Sequence, residues 1–167
     1  MTMRGRPLLA LLFALFLGFA APAQADREPL GTFQQWGAFR ENNYCFAIAE
    51  PERSLRAKDW KPFASVAWWP ERGARGQVHI RLSRNKREGS AVLLRIDERS
   101  WQLVAGGNNA WAPDARADAE IVAAMRRGID MTVETRSDRG ALVRDYYRLR
   151  GAATAIDAAA VACARVS

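Results

Sequence analysis

Few residues in this 167-residue chain could serve as nucleophiles, bases or metal ligands. There is one histidine, His79, in "GQVHIRLS", and there are two cysteines, Cys45 and Cys163, far apart in sequence. A metal site needs several ligands, and neither cysteine has a C-x-x-C neighbour or a nearby histidine. Ser-His-Asp and Cys-His chemistry would have only His79 to build on, and no G-x-S-x-G, H-E-x-x-H or P-loop pattern is present. Asp114, Asp118 and Glu120 could offer oxygens to calcium, but their spacing does not match the D-x-D-x-D-G loop. They read instead as acids that cap and charge a helix start, while Glu50, Glu52 and Asp59 form a weaker group still. A carboxylate-dependent hydrolase would have to use acids such as Asp118 and Asp145 with an arginine, and no paired groups in a cleft are visible in the sequence. The reading is therefore of a non-enzymatic protein with no catalytic residues, metal or cofactor.

The start of the chain says where the two thiols would reside. "MTMRGRPLLALLFALFLGFAAPAQADREP" has basic Arg4 and Arg6, an apolar run from Leu8 to Ala21, and Ala23 and Ala25 in an A-x-A arrangement. That order predicts a secretory signal peptide at residues 1–25 with cleavage after Ala25. The apolar run is shorter than the roughly 20 residues of a spanning helix, and no later segment resembles a membrane span. The remaining 26–167 suffice for one domain with a core. Loss of Arg4 and Arg6 lowers the net charge from +7 to +5. Export to the periplasm or beyond is oxidising, which predicts a Cys45–Cys163 disulfide.

The elements that would position these residues are mostly short and alternating. "GQVHIRLS" puts Val78, Ile80 and Leu82 on one face and Gln77, His79 and Arg81 on the other, the period of a half-buried strand. "AVLLRID" and "SWQLVA" read as a hairpin, as do "IDMTVETR" and "ALVRDYYRL" around Gly140, which is free to take positive φ. "FQQWGAF", "YCFAIAE" and "FASVAWW" add further aromatic and β-branched runs. The expected fold is mainly β: a single-domain antiparallel sandwich or partly open barrel of about seven strands. Two helices interrupt it. One near 115–127 would be capped by Asp114 or Asp118 and stopped by Gly128. The other, near 154–164, would start at a Thr154/Asp157 capping box and place Ile156, Ala160 and Cys163 on one face. Cys163 would then point inward and staple the last helix to the sheet.

Six tryptophans, Trp36, Trp60, Trp68, Trp69, Trp101 and Trp111, are many for such a chain. Most should fill the core. Adjacent Trp68 and Trp69 cannot both face inward on one strand, so one must be exposed or covered by a loop. The basic cluster Arg81, Arg84, Lys86 and Arg87 reads as a solvated strand end and turn. With Trp68 and Trp69 it forms the candidate binding surface of this sequence.

The arrangement resembles the invasion associated locus B family of exported bacterial proteins. The likeness is carried by the N-terminal signal, "WGAFRENNYCFAIAEP", "RGQVHIRLS", "GSAVLLRID" and "RGIDMTVETRSDRGALVRDYYRLRGAATAIDAAAVAC", with Leu149-Arg150-Gly151 leading into the last helix. It covers nearly all of 26–167. The resemblance implies an all-β exported protein without established enzymatic activity and with no catalytic residues to carry over. It also implies a cell-envelope-associated or host-interacting module. Charge and aromatics point to an anionic envelope component or another exported protein as partner, and not to nucleic acid.

Overall fold

The computed structural model describes residues 27–54 and 59–164. The expected signal segment and its cleavage site lie outside the described residues. Ten strands alternate along the chain: β1 Arg27–Phe33, β2 Trp36–Glu41, β3 Tyr44–Ala49, β4 Phe63–Trp69, β5 Ala74–Arg81, β6 Val92–Ile96, β7 Arg99–Gly106, β8 Asn109–Trp111, β9 Asp130–Arg136 and β10 Leu142–Arg148. They form one antiparallel sheet in the order β1-β2-β3-β4-β5-β8-β7-β6-β9-β10. The mainly β character is as expected; of the expected sandwich or partly open barrel of about seven strands, the sandwich is absent, and the described residues form ten strands in one sheet that is not closed.

Every run read from alternation is a strand, and β1 and β8 are the additions. β1 carries Pro29 and Gly31 among charges and pairs only with β2, with a shifted register between Pro29 and Gly31. Proline is tolerated there because an edge strand needs donors on one side only. β8 is three residues long and gains its order from being sandwiched between β5 and β7.

A twisted sheet of about ten strands tends to curl, and this one does. Val66, Val78 and Ile80 from β4 and β5 share one core with Leu94, Met131, Val133 and Tyr147 from β6, β9 and β10. Among the described residues no strand pairing joins the edge strands β1 and β10. A single bridge joins Arg53 to Tyr146, and the buried Trp36 indole donates to the Arg148 carbonyl at 3.0 Å.

Two helices close the core. In α1, Ala115–Met125, the Asp114 carboxylate accepts the Ala117 N–H at 2.8 Å as N-cap. Ile121, Ala124 and Met125 face inward. Gly128 does not take the left-handed C′ conformation expected of it. It is there for space: a Cβ would lie 2.5 Å from Ile96 and 3.1 Å from Leu149. α2, Ala152–Ala164, starts two residues earlier than expected. Thr154 is therefore inside the first turn, no capping box forms, and Asp157 instead pairs with Arg126 at 2.6 Å. Ala152, Ala155, Ile156, Ala159 and Cys163 form its buried stripe. Ala160, expected on that stripe, is only half-buried. α2 lies across β1 to β4, and α1 against β5.

Candidate functional site

The two helices leave a cleft between them whose floor is the start of the β4–β5 connection. β4 alternates with Ala64 and Val66 inward, so Trp68 follows them toward the helices and pairs in register with Cys45. A register shift between Ala67 and Trp68 sets Trp68 opposite Arg75 of β5. Gly76, at φ +75°, follows at once. The side chains of Trp68 and Arg75 line two adjoining hollows of about 370 and 390 Å³. One is walled by Ala119, Val122 and Ala123 of α1, with Arg126 and Arg127 at the helix end. The other is walled by Pro70, Ala160 and Ala164, with Cys163 at its back.

Among the described residues the polar side chains of these walls are all donors. Arg126 is held by Asp157, whereas Arg75 and Arg127 have no carboxylate within 4.0 Å among the described residues. Trp36, Trp60 and Trp101 give their indole N–H groups to Arg148 O, Leu82 O and Glu120 Oε2. No described residue accepts that of Trp68.

Trp69 takes the opposite course. It turns to the outer face of the sheet, where it stacks on Tyr44 with ring centres 4.0 Å apart and planes 9° from parallel. Arg72 covers it at 4.8 Å. The stack continues through Phe46 to Phe39, over which Arg27 lies. The expectation that one of the two adjacent tryptophans would be exposed or covered by a loop resolves into two half-buried rings on opposite faces.

The basic cluster is not part of this site. Arg75 and Arg81 stand at opposite ends of β5, about 20 Å apart at about 3.3 Å per residue. Phe63, at the far end of β4 from Trp68, is the register partner of Arg81. Arg84 donates to the Ser83 carbonyl at 2.7 Å, and it shares its hollow with Asp59 and Asp138. The backbone N–H groups of Lys86 and Arg87 bond to Gly107 and Arg136, and Lys86 Nζ donates to the Arg87 carbonyl. Of the six candidate binding residues, the structure therefore places only Trp68 at the cleft.

The acids considered for hydrolysis are also separated. Asp118 Oδ1 accepts the Val78 N–H at 2.7 Å, joining α1 to β5; burial raises its pKa against the pull of that bond. Asp145 Oδ2 accepts the Ser83 N–H at 2.9 Å. The two anchors, Val78 for Asp118 and Ser83 for Asp145, are five residues apart in sequence, up to about 16 Å of chain. Asp145 is fully buried, and its Oδ1 has no partner among the described residues. Burial raises its pKa, opposed by hydrogen bonding from Ser83 and by the charge of Arg84. Glu120 is engaged by Arg116 and Trp101. Asp114 is the helix cap.

His79 is half-buried rather than exposed. Its ring lies 5.0 Å from that of Trp111 and nearly parallel to it, with Nε2 2.9 Å from Asn109 Oδ1. Burial lowers its pKa, which keeps the imidazole neutral near pH 7. A neutral Nε2–H donor would suit the Asn109 oxygen, so packing accounts for this residue.

Sequence reasoning missed Arg75 and the α1 wall. Arg75 sits in "RGARGQ" with no pattern to single it out, and only the register shift at Trp68 brings it to the cleft. Comparison of the chain with family models, with curated proteins and with solved structures returns no match in any of the three.

Proposed function

We propose that this chain is an exported, periplasmic or secreted, non-enzymatic binding module of the invasion associated locus B type, associated with the cell envelope. The observation that carries the binding reading is the cleft over Trp68 and Arg75, where small apolar side chains of the two helices stand beside polar side chains that are all donors among the described residues. Such a hollow suits an anionic partner that also has an apolar part. The export reading rests on the N-terminal pattern and is supported by the Cys45–Cys163 disulfide, since such bonds persist in oxidising compartments. An enzyme built on Asp118 and Asp145 would need them together, and they are held apart on separate anchors.

The test is expression of the full chain in a bacterial host with a periplasm. Recovery there of a chain beginning at Asp26, with both thiols resistant to alkylation, supports export. An unprocessed cytoplasmic chain with two free thiols overturns it. Retention of an anionic envelope component on the immobilised protein supports the binding role. Turnover of a generic ester, glycoside or phosphodiester that disappears in Asp145→Ala overturns the non-enzymatic reading.

A further inference from the structure

We propose that the Trp68–Arg75 cleft binds a single-chain anionic amphiphile, a long-chain carboxylate, with its head on Arg75 and its chain along the α1 and α2 walls. The inference rests on the binding-module reading and names the ligand class for the same site.

Three observations narrow the ligand. First, each helix offers small apolar side chains beside the arginines: Ala119, Val122 and Ala123 on one side, Ala160 and Ala164 on the other. Each hollow, at about 370 or 390 Å³, is of a size that takes a small molecule, within the roughly 300–1,000 Å³ of known sites. Second, Arg75 is exposed and has no carboxylate partner among the described residues. A guanidinium presents two parallel N–H groups that match a carboxylate. Third, among the described residues no acidic side chain lines either hollow.

The three points together favour this class over other anions. An acidic peptide carries a backbone N–H at nearly every residue, and each one buried needs an acceptor; the side chains here supply none. A nucleic acid or other polyanion needs a track of cations and makes no use of alanine and valine walls. A long-chain carboxylate brings acceptors only, at one end, and an otherwise apolar body. The Trp68 indole N–H, which has no acceptor among the described residues, lines the same hollows as Arg75 and is a further donor for the head.

Calorimetric titration of the oxidised protein recovered from the periplasm tests this, with dodecanoate kept below its micelle concentration. Saturable one-to-one binding is expected. Octanoate should bind at least tenfold more weakly, and dodecyltrimethylammonium, with the same chain and opposite charge, should not bind. Arg75→Ala, at an exposed position, should weaken dodecanoate at least tenfold, with Arg75→Lys intermediate. Val122→Asp, which puts a like charge on the wall, should abolish binding. Equal binding of the cationic amphiphile, or dodecanoate affinity unchanged by both Arg75→Ala and Val122→Asp, overturns the assignment. If dodecanoate fails to bind while another anionic envelope component is retained, the ligand class falls and the binding module stands. If nothing is retained, both fall.

Discussion

Cys45, buried at the middle of the β2–β3–β4 layer, is bonded to Cys163 of α2 across 118 residues of sequence, with Cα atoms 5.7 Å apart. The bond ties the last element of the described chain to one of the first, so that nearly the whole domain lies inside the loop it closes. Constraining a loop of that length in the unfolded chain is worth about 4 to 5 kcal/mol. The Cys45→Ala, Cys163→Ala double variant should lose stability of that order in denaturant unfolding, with a native-like circular dichroism spectrum in buffer. The stripe of Ala152, Ala155, Ile156 and Ala159 should keep α2 docked. Loss of amide protection throughout α2 in the variant would show that the disulfide alone holds the helix.

Gly151 is the point where β10 turns into α2, and it packs on the end of β1. Its φ is +92°, and a Cβ there would lie 2.0 Å from the Phe33 carbonyl oxygen. Both backbone conformation and space exclude a side chain. Gly89 has a similar φ of +73° with open space around it. Gly89→Ala should cost about 1 to 2 kcal/mol, the left-handed penalty alone. Gly151→Ala should cost clearly more, because the clash with backbone adds to the strain. Thermal unfolding of the two variants side by side decides it; equal losses would mean that the β1 end yields freely.

Asp145 sets a pH dependence. Its native pKa lies above the ordinary 3.8, so between those two values the folded protein binds more protons than the unfolded chain. Stability from this group accordingly falls as pH rises through the native pKa and is recovered as pH drops toward 3.8. Asp145→Asn keeps an oxygen for the Ser83 N–H and removes the buried charge. It should raise stability by about 1 to 3 kcal/mol at pH 7.5, the scale of a buried polar group left short of partners. The gain should shrink at pH 4. Urea unfolding at the two pH values measures this, and a variant less stable at pH 7.5 would mean that Ser83 and the charge of Arg84 outweigh the cost of burial.

Trp69 and Trp68 should separate stability from binding. Trp69→Ala removes the stack on Tyr44 and the Arg72 contact from the outer face. An aromatic pair contributes about 0.5 to 1.5 kcal/mol beyond its buried area, so a loss of about 1 to 3 kcal/mol is expected. Dodecanoate titration should be unchanged by it, because the ring is on the far side of β4 from the cleft. A tenfold loss of affinity in Trp69→Ala would place the ligand on the outer face.

Much of the fold was legible residue by residue. Alternation at Val78, Ile80 and Leu82 placed β5, the turn at Gly140 placed the β9–β10 hairpin, and the pair Asp114 and Asp118 placed the start of α1, with the structure choosing Asp114 as the cap, because these signals act within one strand or one helical turn. The Cys45–Cys163 pairing was legible because the sequence has only two thiols, which leave one choice. β1 and β8 were not, since neither is a strand by its own propensity; each is ordered by the neighbours it pairs with. The same holds for Gly128, whose small size answers to Ile96 and Leu149 and not to its place after a helix.

The candidate site divides in the same way. Sequence alone determined that Trp68 and Trp69 go to opposite faces, because side chains alternate along a strand. Which face meets the helices, and that Arg75 rather than the Arg81–Arg87 cluster stands beside Trp68, only the tertiary structure decided. A register shift of one residue in the β4–β5 pair and the curl of a ten-stranded sheet are long-range events. They follow from how whole elements pack together, and no local pattern of residues encodes them.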